Sequence, residues 1–415
     1  MSSAAVPAPA TIEDLNVRRT VLEDLAMKII YMTGELSVQE LGERMKISRS
    51  LAEELFFRLR KEQLCEVTGM TGAVHRLQAT QAGRKHAQEL LDMNQYSGPA
   101  PVSLEDYVAQ VRWQSVRRLP VQSADLKRAF QHLVVEDTLL TQLGTALLSG
   151  RAIFLYGSAG TGKTTLAETL ATIFHQDLIW LPYAIEVDGQ IITIFDPHNH
   201  EPADEPVAAG HDARWILCHR PRVIAGGELT LEMLDLQYNP LTRFYTAPLH
   251  MKANNGVLII DDFGRQRVRP AELLNRWVVP LDRQIDFMTV MGGKKIEVPF
   301  DVFVMFATNM DVTKLVDEAF LRRIQTKIKI DFVNREQFHR IFANCCRDME
   351  LDYEPIAVDH LIDLIKQEMH QPLRACFPRD LLNQICWTAK YHNTNPKLDN
   401  ESVELACRNY FISAT

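Results

Sequence analysis

The chain has 415 residues, of which 46% are hydrophobic and 24% are charged, and its formal net charge at pH 7 is -8. This length suits two or three domains, and the composition is typical of a globular protein. Because the chain is acidic overall, it is not a general binder of nucleic acid or anionic membranes, and any DNA contact requires a local basic patch. No apolar run approaches the ~20 residues of a membrane helix, so no membrane partner is expected.

The N-terminal segment and the cysteines indicate a cytoplasmic protein. Residues 1–10 are small residues and prolines without the basic start and apolar core of a signal peptide, and we expect a short disordered tail there. The seven cysteines are scattered, with Cys345 and Cys346 as their only close pair. This spacing predicts neither a disulfide framework nor a zinc site, and free thiols suit a reducing compartment.

Residues 11–93 show three helical patterns followed by a hairpin pattern. We expect helices over residues 21–31, 37–45 and 48–63, with Ser37 as N-cap and Glu40 completing a capping box. Two strands are expected over 64–67 and 75–79. This is the layout of a winged helix-turn-helix domain, and residues 77–87 resemble the last strand and final helix of winged-helix regulators.

The remaining chain divides into three parts. A linker and connecting helix are expected over 94–118, because residues 97–101 are proline-rich and 103–118 have a helical pattern. Residues 119–332 alternate strand and helix signals, which predicts an α/β domain with a mostly parallel sheet flanked by helices. Residues 333–415 are helical throughout, with helices expected over 358–369 and 379–391.

A glycine-rich segment directly follows the apolar run 152–156. It fits the P-loop pattern, in which backbone N–H groups and a helix N-terminus surround a phosphate chain. Lys163 is expected to reach the β- and γ-phosphates of a nucleoside triphosphate, and the Thr164 hydroxyl to bind Mg²⁺. The predicted nucleotide-binding residues are Gly157, Ser158, Ala159, Gly160, Thr161, Gly162, Lys163, Thr164 and Thr165.

A second apolar run, 256–260, ends in Asp261 and Asp262. Such a run predicts a buried parallel strand that delivers its acids at the sheet edge where α/β proteins bind ligands. Asp261 suits the Mg²⁺ role, and Asp262 suits a general base that positions and deprotonates the attacking water.

Further motifs follow in order. A third apolar strand, 302–307, leads to Asn309; Arg322 and Arg323 come later, and Arg379 lies in the helical region. From residue 119 to 410 this series resembles an AAA+ ATPase: Walker A, Walker B, sensor 1, arginine finger and a helical lid with sensor 2. The resemblance implies that Asn309 orients water and that Arg322, Arg323 or both reach a neighbouring subunit's site. It also implies that Arg379 is sensor 2, a role for which Arg374 is an alternative.

Two segments resemble the MoxR-like and magnesium-chelatase branch of that family. Residues 245–250 and 253–256 resemble the lead into Walker B, and residues 287–298 predict a hairpin around Gly292 and Gly293. The resemblance implies a homo-oligomeric ring, expected to be a hexamer, that hydrolyses ATP to remodel an unknown protein partner. Hairpins of this branch tend to face the central pore.

The sequence departs from this pattern in two ways. The usual second acid of Walker B is Glu, and Asp262 is one methylene shorter, which places its carboxylate about 1.5 Å short. A displacement of about 1 Å can reduce a rate on the order of a hundredfold, so slow turnover is expected. The interval from Lys163 to Asp261 is also long, because it includes a predicted hairpin over 184–197 and a polar stretch with His198 and His200, which we expect to be a plain loop.

The role of residues 11–93 stays open between protein and DNA. Basic residues on the third helix and hairpin favour DNA, whereas Glu53, Glu54 and the balance of acidic and basic residues oppose it. Phe56 and Phe57 cannot both be buried easily, and an outward phenylalanine suits a protein contact. We favour a protein-binding adaptor; the alternatives are a DNA-directed AAA+ ATPase and an ATP-binding scaffold with negligible turnover.

Overall fold

The computed structural model describes residues 5–71, 74–150, 152–207, 209–315 and 322–411. The helices are α1 (Arg19–Thr33), α2 (Val38–Met45), α3 (Arg49–Lys61), α4 (Gln81–Met93), α5 (Leu104–Trp113), α6 (Ser123–Ala129), α7 (Asp137–Ser149), α8 (Lys163–His175), α9 (Leu249–Lys252), α10 (Pro270–Arg283), α11 (Val312–Leu315), α12 (Arg335–Asp348), α13 (Pro355–Asp363), α14 (Phe377–Tyr391) and α15 (Asn400–Tyr410). The strands are β1 (Glu35–Ser37), β2 (Cys65–Thr71), β3 (Val74–Ala79), β4 (Val102–Ser103), β5 (Ile153–Tyr156), β6 (Leu178–Pro182), β7 (Ala184–Val187), β8 (Gln190–Thr193), β9 (Trp215–His219), β10 (Arg222–Ala225), β11 (Gln237–Tyr238), β12 (Tyr245–Thr246), β13 (Val257–Ile260), β14 (Ile285–Thr289), β15 (Lys295–Pro299), β16 (Phe303–Thr308) and β17 (Thr326–Lys329).

The N-terminal unit packs α1–α4 against a three-stranded antiparallel sheet of order β1-β3-β2. Its three predicted helices and its hairpin are confirmed. The capping box is also present: the Ser37 hydroxyl accepts from the Glu40 backbone N–H at 3.1 Å, and the Glu40 carboxylate accepts from the Ser37 N–H at 2.6 Å. Phe56 is buried and Phe57 is 52% exposed, as the helical periodicity required.

The predicted linker and the described part of the predicted N-terminal tail both make contacts with the rest of the chain. Ala100, in the predicted linker, is buried and donates its backbone N–H to Met45, and the connecting helix α5 ends at Trp113 rather than residue 118. Ala8 donates its N–H to Gly210 and Val6 accepts one from Asp212. The structure therefore differs from the expected disordered tail over residues 5–10, because these backbone groups find partners in the α/β domain; residues 1–4 lie outside the described part.

The central sheet has five parallel strands in the order β10-β13-β16-β5-β17. Alternate side chains face opposite sides, as the pleat requires. On β5, Phe154 packs on the face covered by α10, whereas Ile153 and Leu155 pack on the face covered by α7 and α8. The predicted α/β fold class, a parallel sheet flanked by helices, is confirmed.

The long interval between β5 and β13 forms additional sheets. A mixed sheet has the order β11-β12-β8-β7-β4, and β6 pairs with β9 as an antiparallel ribbon. The predicted hairpins around Asp188 and around Gly292 are confirmed as β7–β8 and β14–β15. Lys294 at one tip forms an ion pair with Asp188 at the other, so the two hairpins contact each other.

The buried Arg214, which forms an ion pair within the α/β domain, also contacts the N-terminal part of the chain. The Arg214 guanidinium contacts the Asp212 carboxylate at 2.7 Å, and each residue is 3% exposed. The same guanidinium donates to the carbonyls of Leu15 and Pro101, each at 3.0 Å. The N-terminal unit is thus fixed by a hydrogen-bonded contact as well as by packing.

The C-terminal helices α12–α15 enclose a separate apolar core that includes Phe338, Phe342 and Leu382. This confirms the expected helical region, although the helix predicted over 358–369 continues beyond α13 as a π-helical turn, Leu364–Glu368. Within the described ranges, no helix is both long and apolar enough to cross a membrane.

Candidate active site

The glycine-rich loop connects β5 to α8 and is enclosed from two sides. Gly157 has φ of +143°, and a Cβ there would lie 2.2 Å from the Ile330 carbonyl oxygen, just beyond β17. Gly160 has φ of +76°, and its Cβ would lie 2.7 Å from the Cys376 sulfur. Glycine is required at both positions because side chains would collide and the backbone is left-handed.

Lys163 is the first residue of α8, and its side chain turns back into the loop. Its ammonium donates to the Ser158 carbonyl at 2.7 Å. The residue is 6% exposed, and this burial lowers the pKa of Lys163, while the nearby Asp262 and Asp261 carboxylates act in the opposite direction. A partly desolvated cation at a helix N-terminus is an arrangement that attracts phosphate groups.

Thr164 and Asp261 lie together at the carboxyl edge of the sheet. The Thr164 hydroxyl is 3.0 Å and 3.1 Å from the two carboxylate oxygens of Asp261, which follows β13 directly. A hydroxyl and a carboxylate are the hard oxygen ligands that Mg²⁺ prefers. This pair fits the predicted magnesium role.

Asp262 and Asn309 form the next contact along the same edge. The Asn309 amide donates to the Asp262 carboxylate at 2.8 Å, because β13 and β16 are parallel neighbours that end together. Asp262 has a left-handed backbone with φ of +47°, and its N–H donates to Asp261 at 2.9 Å. The structure therefore brings the predicted base and the predicted sensor 1 residue together.

Two polar residues that the sequence reasoning did not identify hold the acidic turn. The Gln266 amide donates to the Asp261 carbonyl at 2.7 Å and accepts from the Gly264 N–H at 2.8 Å. The Thr308 hydroxyl donates to the Phe263 carbonyl at 2.6 Å. The sequence could have identified Thr308, because it stands directly before Asn309 at the end of an apolar run. It could not have identified Gln266, which lies in a polar loop.

Arg374 approaches the loop from the helical region. Its side chain lies beside Gly160, and the Cys376 N–H donates to the Gly160 carbonyl at 3.1 Å. The Arg374 guanidinium is 5.6 Å from the Phe377 ring centroid, a cation–π distance. Its Nε is buried without a hydrogen-bond partner among the described residues, so this cation has unused donor capacity next to the loop.

The other predicted arginines lie elsewhere. Arg379 is on α14, where its guanidinium is 3.6 Å from Asp348 and its side chain is 67% exposed. Arg323 donates to Asp282 on α10 at 2.9 Å, and Arg322 is exposed. The contacts described for Arg379 and Arg323 are therefore with residues outside the glycine-rich loop.

The two histidines of the polar stretch have ordinary environments. His198 is exposed beside Asp196. His200 is buried; its Nδ1 accepts from the Asp196 N–H at 2.9 Å, and its Nε2 is 2.8 Å from the Lys252 carbonyl. Both ring nitrogens of His200 are thus engaged within the protein.

Comparisons with known proteins give limited similarity. A family described as a domain of unknown function (DUF8689) matches residues 334–409, and no curated protein matches the chain. NtrX from Brucella abortus in complex with ADP is 11% identical with a TM-score of 0.40; the alignment covers 85% of this chain but only 59% of NtrX. The Thermotoga maritima RuvB Holliday junction branch migration motor is 14% identical with a TM-score of 0.39, and 66% of this chain and 69% of RuvB are covered.

Proposed function

We propose that the chain is a Mg²⁺-dependent ATPase of the AAA+ type. The observation that carries the proposal is the meeting of five predicted site residues at one edge of the parallel sheet: Lys163, Thr164, Asp261, Asp262 and Asn309. Phosphate binding, metal binding and water activation each have a residue of suitable chemistry there.

Each residue has a distinct role in the proposed reaction. The loop N–H groups and Lys163 bind the phosphate chain, and Thr164 with Asp261 holds Mg²⁺. The ion, when bound, supplies positive charge that stabilises the transferring phosphoryl group. Asp262 accepts a proton from the attacking water, and the Asn309 amide keeps that carboxylate and the water in position.

Arg374 is the better candidate for the sensor 2 role. The support is its position beside Gly160 and its unpartnered buried Nε, whereas Arg379 lies on an exposed helix face near Asp348. An arginine at this place stabilises charge on the nucleotide and links the helical lid to the loop.

We further propose that the active unit is a ring, in keeping with the resemblance to the MoxR-like branch. Arg322 and Arg323 would then complete the site of the adjacent subunit and stabilise transition-state charge. The β14–β15 hairpin presents Phe287 and Met291, which are 45% and 55% exposed. Exposed apolar side chains on a hairpin suit contact with a protein that the ring remodels.

The N-terminal unit is proposed to be a protein-binding winged helix. On α3, the potential recognition helix, Arg49 donates to Glu53 at 2.9 Å, which reduces the positive charge available to phosphates. Phe57 on the same helix is exposed, and an exposed aromatic side chain is typical of protein interfaces.

A subunit-mixing experiment tests the ATPase and the ring together. We expect Lys163→Ala to lose nucleotide binding, and the double variant Arg322→Ala with Arg323→Ala to bind ATP but lose turnover. Mixing the two should restore part of the activity, because the first contributes arginines and the second an intact loop. The control is wild-type protein mixed with heat-denatured variant, which keeps the total protein concentration equal to that of the mixture without adding folded subunits. If the mixture does not recover activity, the proposed ring with active sites shared between subunits is wrong. If wild-type protein does not bind ATP, the ATPase proposal as a whole is wrong.

A further inference from the structure

Three potential metal ligands converge at the end of α8 opposite Lys163. His175 is the last residue of α8, His219 ends β9, and Glu201 lies in the segment that runs beside β9. One ligand atom from each residue lies within 4.8 Å of the other two. None of the three contributes to the proposed nucleotide site.

The backbone fixes two of these positions relative to each other. The His219 N–H donates to the Glu201 carbonyl at 2.9 Å, and the Ala203 N–H donates to Leu217 at 2.9 Å. The chain around Glu201 is therefore held against β9 by paired hydrogen bonds. This reduces the conformational entropy that ligand binding would otherwise cost.

A hydrogen bond also determines which ring nitrogen of His219 is available to a metal. Its Nδ1 is 2.8 Å from the His175 carbonyl oxygen. A carbonyl only accepts, so Nδ1 carries the proton and the neutral ring keeps its lone pair on Nε2. A backbone carbonyl on the second ring nitrogen is the usual arrangement of metal-binding histidines.

His175 completes the group. Its ring stacks on His219 with centroids 4.5 Å apart and planes 22° apart, and its Nε2 is 3.2 Å from a Glu201 carboxylate oxygen. The side chains of His175 and Glu201 are 41% and 69% exposed, so a change of rotamer at either position needs no rearrangement of the core. Rotation is needed, because the lone pairs of stacked rings are nearly parallel and must turn towards one point.

We propose that His175, Glu201 and His219 form a Zn²⁺ site. Two imidazoles and one carboxylate are a known zinc ligand set, with bonds of about 2.0–2.2 Å and a fourth position open to water. Imidazole favours Zn²⁺ over Mg²⁺, which separates this site from the magnesium pair at the other end of α8. Bound metal would connect α8 to β9 and stabilise the folded chain.

Zinc titration of the full-length chain, without a histidine tag, tests the proposal. After removal of metal with a chelator, Zn²⁺ is added in excess Mg²⁺ and competes with a chromogenic chelator. We expect about one ion per chain, and Glu201→Gln and His219→Ala should each weaken binding by about tenfold or more. The control His198→Ala removes a histidine whose side chain is 94% exposed outside the cluster, and it should bind as wild type does.

The same samples give a second measurement. Zn²⁺ should raise the midpoint of thermal unfolding of wild type and of His198→Ala by the same amount and that of Glu201→Gln by less, because an ion that binds only the folded chain stabilises it in proportion to how tightly it binds. Glu201→Gln keeps the side-chain volume at an exposed position, so this variant is expected to fold. It therefore tests the zinc site even if His219→Ala folds poorly. Zinc binding by Glu201→Gln equal to that of wild type, or no zinc binding by wild type, overturns the proposal.

Discussion

The side-chain amide of Asn309 donates a 2.8 Å hydrogen bond to the carboxylate of Asp262, joining the ends of two neighbouring parallel strands. The resemblance to AAA+ ATPases implies that Asp262 occupies a position where Glu is usual, and its backbone is left-handed with φ of +47°. Aspartate is several-fold enriched in this conformation among residues other than glycine. The shorter acid therefore suits the turn that this chain forms after β13.

Removing the charge of Asp262 should abolish most turnover without abolishing binding. We expect Asp262→Asn to lower kcat by about 10²–10⁴, because a general base contributes that range, while ATP affinity stays within a few-fold. The measurements are phosphate release at saturating ATP and binding of a fluorescent ATP analogue. Turnover that is unchanged in Asp262→Asn would remove this residue from the base role.

Substitution of Asn309 should lower kcat less than substitution of Asp262, since Asn309 acts by positioning Asp262. We expect Asn309→Ala to lower kcat by about tenfold, roughly the 1.4 kcal/mol of one hydrogen bond. The double variant with Asp262→Asn should be no slower than Asp262→Asn alone, because the two side chains act as one unit. Additive losses in this cycle of variants would contradict the proposed coupling.

Arg374 and Arg379 provide a matched pair within the helical region. We expect Arg374→Ala to weaken ATP binding or turnover by about tenfold, because it removes a charge beside Gly160. Arg379→Ala should have little effect, since that side chain is 67% exposed beside Asp348. Phosphate release over a range of ATP concentrations separates the two, and the opposite ranking would restore Arg379 as the sensor.

Much of the fold and of the site is predictable because it depends on local patterns. Buried parallel strands appear as apolar runs, so β5, β13 and β16 and the residues that follow them could be located in advance. Arg374 could not be separated from Arg379, because the choice depends on how the helical region packs on Gly160. His219 likewise gives no sequence signal: its companions His175 and Glu201 are distant along the chain and meet only when β6 and β9 pair.

The buried Arg214–Asp212 pair should contribute strongly to the stability of the folded chain. We expect Arg214→Met to lower the free energy of unfolding by about 3–5 kcal/mol, because it leaves the Asp212 carboxylate buried without a counter-charge. The control Arg408→Ala breaks a contact with Glu404 in which Arg408 is 71% exposed, and it should cost about 0.5 kcal/mol or less. Urea unfolding monitored by circular dichroism measures both. Equal effects of the two variants would contradict the expected penalty for leaving the buried Asp212 carboxylate unpaired.

Lys28 should make stability depend on pH in the alkaline range. It is 6% exposed on α1, and burial lowers its pKa to about 8, against about 10.4 for an unfolded chain. Between these values the unfolded chain binds more protons than the folded chain, so the contribution of Lys28 to stability rises with pH. Its ammonium donates to the Asn94 carbonyl at 3.0 Å, which only partly offsets the loss of hydration.

Substitution by methionine removes this titration and keeps most of the apolar stem. The free energy of unfolding of Lys28→Met, minus that of wild type, should therefore be larger at pH 7 than at pH 10. The reason is that wild type carries a buried ammonium at pH 7, whereas the variant carries none at either pH. Urea unfolding at both pH values measures the difference, and other titrating groups cancel in the comparison. Lys61→Met, at an exposed position on α3, should show the same difference from wild type at both values. A pH-independent difference for Lys28→Met would mean that the Lys28 pKa is the same in the folded and unfolded chain.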